Sequence, residues 1–166
     1  MERKPTRLEN YDYSSYGAYF VTLCTSNREK ILSSICRGDP CGRPILKLTT
    51  LGEIANKAFD YVENLYDIKF DFRVIMPDHI HFIVFLDSKA TARVAPTIGR
   101  IVGAYKSYIS NRYRKLGFTN RTKTIWQRNY FDHIIRNDVD LNETRQYIEN
   151  NPIAYLEKED GVKYAY

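Results

Sequence analysis

The 166-residue sequence contains no apolar run long enough to cross a membrane, and its first residues, MERKPTRLENYDYSS, lack the apolar core of a signal peptide. Cysteine is scarce: there are three, an odd number that argues against a disulfide framework. Cys36 and Cys41 lie close together, but no second Cys/His pair stands nearby to complete a zinc site. These absences predict a cytoplasmic protein whose thiols are free.

Acidic residues are scarce in one segment. From Arg100 to Arg136 there are nine Lys and Arg residues and one acid, Asp132, which gives this segment a charge of +8. The whole chain carries +5, so the remainder sums to −3. A basic block within a near-neutral protein indicates a polyanionic partner. The alternative is a merely solvated basic face, but the interleaved aromatic residues favour nucleic acid.

The length and the apolar fraction of 43% are typical of one soluble globular domain spanning residues 1–166. Apolar periodicity predicts these elements in chain order: a strand at 18–25, a helix at 51–66, strands at 68–75 and 79–86, a helix at 97–116, a strand in the second half of 125–136 and a helix at about 138–151. The remaining segments are expected to be an irregular lead-in at 1–17, a loop insertion at about 33–46 and a polar tail at 153–166.

Particular residues set the predicted boundaries. Thr50 and Glu53 have the spacing of a capping box, which makes Thr50 the predicted N-cap of the first helix. Two Gly and two Pro within residues 37–44 predict an exposed loop without regular structure. Pro152 is expected to end the last helix, because proline removes a helical hydrogen bond.

The predicted order is β-α-β-β-α-β-α. Its first six elements match the split βαβ, or ferredoxin-like, arrangement, an α+β fold with a four-stranded antiparallel sheet and two helices on one face. The strands at 68–75 and 79–86 are so close in sequence that they must be antiparallel neighbours. The final helix is left free to lie elsewhere, for instance across the sheet.

Two of the three histidines, His79 and His81, open the strand at 79–86. Side chains alternate along a strand, so both histidines point to one face while Ile80 and Phe82 point to the other. The strand rise places them roughly 6.5–7 Å apart at the backbone, close enough for both rings to lean onto one metal ion. The spacing alone does not separate this interpretation from two histidines on a solvated face.

A metal held by two histidines needs a third ligand, and phosphodiester chemistry needs a nucleophile. Among the 14 tyrosines, two have a metal-competent polar side chain four residues later, on the same face of a helix. Tyr155 with Glu159 follows Pro152, in a stretch with little helical pattern. Tyr147 with Asn151 lies on the last predicted helix. That helix could therefore present a phenol and an amide oxygen to the histidine strand.

Several stretches together resemble a known family. Residues 77–81, PDHIH, are similar to the His-hydrophobic-His motif of the HUH endonucleases. Residues 126–136, WQRNYFDHIIR, resemble the block that follows the second helix in single-tyrosine transposases, and residues 147–152, YIENNP, resemble their Y-I-x-x-N-P signature. The start of the chain, 7–28, also fits. The resemblance, over about residues 5–155, is to the IS200-like Y1 transposase superfamily and its branch associated with repetitive extragenic palindromes (REP).

The resemblance implies that His79, His81 and Asn151 bind a divalent metal, Mg²⁺ or Mn²⁺, and that Tyr147 is the nucleophile. A tyrosine hydroxyl with a pKa near ~10 is a poor nucleophile at neutral pH, and a metal helps by polarising the scissile phosphate. Attack on single-stranded DNA near a hairpin would leave a 5′-phosphotyrosine and a free 3′-OH. The resemblance also implies a nucleoid-associated location. Family members act as dimers or as monomers, and both states stay open here.

Further residues are candidates for contacts with DNA: Arg112, Arg114, Lys115, Lys123, Trp126, Arg128, His133 and Arg136. Trp126 either stacks on a base or is buried as an anchor of the core. His133 is a hydrogen-bonded structural group, a DNA contact or a further metal ligand. Asp78 is either a support for a metal ligand or a simple turn residue.

Two other functions remain open. One is a non-catalytic ferredoxin-like module that binds single-stranded nucleic acid; the presence of both histidines, Tyr147 and Asn151 argues against it. The other is a histidine-based phosphohydrolase acting on small nucleotides. Such sites commonly need a further histidine in the same strand, but Ile83 occupies the next position in phase.

Overall fold

A computed structural model describes residues 17–37, 44–86, 96–117 and 124–161. The strands are β1 (Gly17–Cys24), β2 (Ser33–Arg37), β3 (Pro44–Leu48), β4 (Lys69–Ile75), β5 (His79–Leu86) and β6 (Phe131–Ile135). The helices are α1 (Thr50–Tyr66), α2 (Ile98–Lys115) and α3 (Asp138–Asp160). Every strand and helix predicted from apolar periodicity is present, and β2 and β3 are additional.

Four strands form one antiparallel sheet in the order β4-β5-β1-β6. β4 and β5 are antiparallel neighbours, as their short connection predicts. β1 lies between β5 and β6, in a register that sets Thr22 opposite His81. This is the strand order of the split βαβ arrangement, so the predicted α+β, ferredoxin-like fold is confirmed.

The two faces of this sheet are covered by different helices. Strand alternation sends Tyr19 of β1 and Phe82 of β5 to one face, where they are buried among residues of α1 and α2. The Phe82 ring lies edge-on to Phe59 of α1, with centroids 5.7 Å apart. On the opposite face, Phe20 and Ile83 pack in a smaller apolar cluster with residues that include Ile148 of α3. The last helix therefore lies across the face that the first two helices leave open.

The prediction of a loop at about 33–46 is wrong at both ends of that segment, which form strands. β2 and β3 pair as an antiparallel two-stranded sheet, with Ser33 opposite Leu48 and Arg37 opposite Pro44. Pro44 opens β3, a position where the missing N–H of proline is tolerated. The glycines and the other proline fall within residues 38–43, outside the described ranges. In the sequence, these residues lie between two strands that pair with each other.

Two helix boundaries also differ from the prediction. The N-cap of α1 is Thr49 rather than Thr50, because the hydroxyl of Thr49 accepts from the N–H of Gly52 at 3.2 Å. α3 does not end at Pro152 but continues to Asp160, so the first part of the predicted polar tail is helical. A proline inside a helix costs one hydrogen bond. The turns that follow Pro152 contact the rest of the protein, since Tyr155 lies beside His79 and Glu159 pairs with Lys30.

Some predictions concern residues outside the described ranges: the lead-in at 1–16, Cys41, Lys123 and the end of the tail at 162–166. Cys24 and Cys36 are free thiols. In the described part of the chain, no helix is both long and apolar enough to cross a membrane.

Candidate active site

The candidate site begins at the first residues of β5. His79 and His81 project from the same face of the strand and are both buried, with 6% and 4% of their surfaces exposed. Their ring centroids lie 4.6 Å apart. This is the face covered by α3, so the helix closes over the histidine pair.

Each imidazole is held through its Nδ1 atom. Nδ1 of His79 lies 2.6 Å from Oδ1 of Asp78, and Nδ1 of His81 lies 2.8 Å from Oγ1 of Thr22, its cross-strand neighbour. An ionised carboxylate can only accept hydrogen bonds, so Nδ1 of His79 carries a proton, and Nε2 is the ring atom left to bind a metal ion. Of the two interpretations of Asp78, support for a metal ligand fits this geometry.

The electrostatics keep one histidine neutral beside an ionised acid. Burial, followed by repulsion from a protonated His79 and from Arg28, lowers the pKa of His81 to about 3. For Asp78, burial alone would raise the pKa of the carboxyl, but the hydrogen bond from His79 and the charges of His79 and Arg28 outweigh it and lower the pKa. Neutral imidazole is the form that binds metal ions.

α3 brings the predicted tyrosine and asparagine to the histidines of its own chain. Oδ1 of Asn151 lies 3.3 Å from Nε2 of His79. The ring centroid of Tyr147 lies 5.3 Å from that of His81 and 5.8 Å from that of Phe20, which it meets edge-on. Tyr147 is 52% exposed, so its phenol remains accessible to a ligand. The helix and the strand of one chain together form the site.

A cleft of about 530 Å³ lies beside these residues. Besides His79, Tyr147 and Asn151, it is lined by Arg28, Asp78, Ala154, Tyr155, Lys158 and Glu159. Phenol, imidazole, amide and guanidinium groups therefore border one open space. Cations next to potential metal ligands suit a phosphodiester.

The donor set fits a divalent metal. Nε2 of His79 lies 3.3 Å from Oδ1 of Asn151, and in the neutral imidazole with its proton on Nδ1 both atoms present lone pairs that a shared cation would bind. Nε2 of His81 is buried and has no hydrogen-bond partner among the described residues, a state that costs free energy unless something binds it. No group of three or more His, Cys, Asp or Glu side chains within those residues could hold a metal, so the ligands would be two imidazoles and an amide oxygen.

The described cations predicted to contact DNA lie outside this cleft. They are all exposed: Arg112, Arg114, Lys115, Arg128 and Arg136. The first three form the last turn of α2, which packs on the opposite face of the sheet from α3. The guanidinium of Arg112 lies 5.2 Å from the ring centroid of Tyr108. The structure therefore separates the three cations of α2 from the histidine–tyrosine site.

His133 and Trp126 have structural partners. Nε2 of His133 lies 3.0 Å from a carboxylate oxygen of Asp140, so this histidine binds the start of α3 instead of joining the histidine pair. Trp126 is 8% exposed and packs in the core beside α1 and α2, while its backbone pairs with Thr25. The core-anchor interpretation of Trp126 and the structural interpretation of His133 fit this arrangement.

Tyr155 belongs to the cleft, although its position after Pro152 argued against a role. Because α3 continues through the proline, the spacing of four residues from Asn151 puts Tyr155 on the same helix face. Its ring lies 6.5 Å from that of His79, and Nζ of Lys30 lies 5.6 Å from its centroid. If Pro152 had been allowed inside the predicted helix, the four-residue spacing from Asn151 would have identified Tyr155. Arg28 and Lys158 carry no comparable signal in the sequence.

Known sequences are similar to this chain over most of its length. The family model described as Transposase IS200 like matches residues 14–151. An uncharacterized protein of Haemophilus influenzae is 28% identical over 170 residues, covering 92% of this chain and 89% of the relative. Another Haemophilus influenzae protein, assigned to the REP-associated tyrosine transposases, is 26% identical over 159 residues, covering 89% of this chain and 78% of the relative.

Two solved structures share the fold. A REP-associated tyrosine transposase bound to a REP hairpin superimposes with a TM-score of 0.60 at 20% identity, covering 90% of this chain and 74% of that one. A Deinococcus radiodurans protein assigned as a transposase has a TM-score of 0.53 at 14% identity, covering 90% of this chain and 97% of that one. At such identities the likeness concerns the fold alone.

Proposed function

Because the chain belongs to the IS200-like transposase family, we propose that it is a metal-dependent endonuclease and strand transferase that acts on single-stranded DNA near hairpins. The observation that carries this proposal is the position of Tyr147 against the histidine strand of the same chain, with its ring 5.3 Å from that of His81. A nucleophile, metal ligands and an open cleft then lie within reach of one phosphate.

Tyr147 is the proposed nucleophile. Its Oη forms a bond to the scissile phosphorus while the bond from phosphorus to the 3′-oxygen breaks; the phenol loses its proton and the leaving oxygen gains one. The products are a 5′-phosphotyrosine and a free 3′-OH. The phosphotyrosine keeps the energy of the broken bond, so a later 3′-OH can be joined to the strand without a nucleotide cofactor.

Nε2 of His79, Nε2 of His81 and Oδ1 of Asn151 would hold the metal. When bound, a divalent ion such as Mg²⁺ or Mn²⁺ would polarise the scissile phosphate and stabilise negative charge on its oxygens. Asp78 fixes the tautomer of His79, and Thr22 orients the ring of His81. Both contacts are made through Nδ1, so each ring has its Nε2 left for a metal ion.

A hairpin is the proposed recognition element. One structural neighbour is a transposase with a bound REP hairpin, and the exposed cations on α2 offer this chain a second, basic surface away from the cleft. Phosphates of a folded stem could bind there while the adjoining single strand enters the cleft.

The test is incubation of the protein with a single-stranded hairpin oligonucleotide and Mn²⁺, followed by a denaturing gel. We expect a covalent protein–DNA band that chelator suppresses and Tyr147→Phe abolishes. Tyr155→Phe is the matched control, because it removes another phenol of the same cleft and should leave the band. A band that survives Tyr147→Phe would disprove the nucleophile. Binding without any cleavage by the unmodified protein would indicate a non-catalytic module instead.

A further inference from the structure

Arg28 lines the cleft, and the proposed cleavage gives it no part. Its Nε lies 3.0 Å from Oδ2 of Asp78, and its Nη1 donates to Sγ of Cys24 at 2.9 Å. The Arg28 side chain is nevertheless 50% exposed, and it borders the same cleft as Tyr147 and Asn151. A cation is thus held at a defined position while part of it remains open to a ligand.

The backbone that carries Arg28 has an unusual conformation. Asn27 and Arg28 have φ angles of 53° and 56°, in the left-handed region that non-glycine residues seldom adopt. Such a conformation persists only where surrounding contacts determine it. Here the backbone N–H and the hydroxyl of Thr25 both donate to the carbonyl of Asp78, each at 3.0 Å. The turn is therefore attached to the same residue whose carboxylate the guanidinium contacts.

The ion pair with Asp78 does not occupy the whole guanidinium. One carboxylate oxygen of Asp78 accepts from Nδ1 of His79 at 2.6 Å, so the acid divides its charge between His79 and Arg28. A guanidinium has five N–H donors in a planar fork that matches phosphate as well as carboxylate. Since only Nε and Nη1 take part in the contacts above, donors remain for a second anion.

We infer that Arg28 binds a phosphate of the DNA strand in the cleft, with Asp78 and Cys24 holding its guanidinium in place. This inference rests on the proposed function, because it requires a single strand to lie along α3 beside Tyr147. It assigns to the cleft a phosphate contact made by the protein itself, which needs no metal ion.

The test uses the full chain with Tyr147→Phe, which prevents cleavage, in the presence of chelator. Binding of a fluorescent single-stranded hairpin oligonucleotide is measured between about 50 and 200 mM salt. Adding Arg28→Gln should weaken binding and reduce the slope of log K against log salt by up to about 0.7, the contribution of one phosphate contact on a single strand. Arg28→Lys should keep most of the slope, because a lysine still neutralises a phosphate.

Arg145→Gln is the matched control. Arg145 is another arginine with an acidic partner, Asp71 at 2.7 Å, but it does not line the cleft, so its loss should leave the slope unchanged. An unchanged slope in Arg28→Gln would overturn the inference, even if its Mn²⁺ affinity fell, because Arg28 would then act only through Asp78 and His79. The inference would also be overturned if the Tyr147→Phe protein did not bind the oligonucleotide. If Arg28→Gln reduces the slope but the unmodified protein forms no covalent product with DNA, only the proposed cleavage would be contradicted.

Discussion

The two faces of the central sheet differ in what they bury. On the α1–α2 face, the buried cluster is built from apolar and aromatic side chains, and the hydroxyl of the fully buried Tyr105 donates to the carbonyl of Ala55 at 2.9 Å. The indole N–H of Trp126 is the one buried side-chain polar atom of this cluster without a partner among the described residues. On the α3 face, His79, His81 and Asn151 are buried beside a small apolar cluster, and Nε2 of His81 lacks a partner among the described residues. Successive residues of β5 point alternately to these two faces.

The two faces therefore have different roles: one stabilises the fold, and the other carries the candidate site. Buried polar atoms without partners destabilise a fold, so a site with free metal ligands needs stability from elsewhere. The α1–α2 face supplies it, since burial of apolar area is the main stabilising contribution to folding. Mutations on the two faces should therefore affect different measurements.

The largest effect on stability is expected from Phe82→Ala. The Phe82 ring is fully buried and packs against Phe59 and Phe70 on the α1–α2 face. Truncation of a buried phenylalanine should lower the free energy of unfolding by about 3–5 kcal/mol, measured by denaturant titration. Metal affinity of the molecules that remain folded should not change. A loss below about 1 kcal/mol would contradict the assignment of this face as the main source of stability.

Added metal ion should stabilise the protein through the α3 face. Mn²⁺ at about 100 times its dissociation constant should raise the free energy of unfolding by about 2.7 kcal/mol, since it binds only the folded protein. His81→Ala should abolish this increment, whatever it does to the stability of the metal-free protein. His133→Ala should keep the increment, because His133 pairs with Asp140 outside the site. Thermal unfolding with Mn²⁺ or chelator measures both, and an equal increment in all three proteins would refute the ligand set.

A smaller effect is expected from Asp78→Asn. The carboxylate of Asp78 accepts from Nδ1 of His79, and an amide in its place would hold the imidazole less firmly. We expect metal affinity to fall about 10- to 100-fold, as for other changes behind a metal-binding histidine. Asp71→Asn is the control, because Asp71 pairs with Arg145 and lies outside the cleft. Equal Mn²⁺ affinities of the two variants in calorimetry would show that Asp78 does not support the site.

Much of this fold follows from local patterns. Alternation along β5 is sufficient to put His79 and His81 on one face, and the order of strands and helices is sufficient to predict the sheet. The spacing of Tyr147 and Asn151 predicts that both lie on one helix face. Such properties depend on residues close in sequence, where backbone geometry decides the outcome.

The remaining features depend on contacts between distant residues. Pro152 disfavours a helix locally, yet α3 continues, and Lys30 pairs with Glu159 in its last turns. Arg28 enters the site through Asp78, which is fifty residues away in the sequence. No periodicity in the sequence encodes these pairs, because each needs the assembled sheet to bring its members together.

The smallest effect is expected at the start of α3, on the site's face but outside the cleft. Burial alone would raise the pKa of Asp140, but hydrogen bonds from His133 and the N–H of Arg136 outweigh it and lower the pKa. A lowered pKa contributes stability above the unfolded value of about 3.9, and this is lost as pH falls through the folded value. Asp140→Asn should therefore cost under about 1 kcal/mol at pH 7 and nothing at strongly acidic pH. A cost that persisted in strongly acidic solution would show that the charge of Asp140 is not what stabilises the start of α3, because aspartic acid and asparagine are both uncharged there and have nearly the same shape.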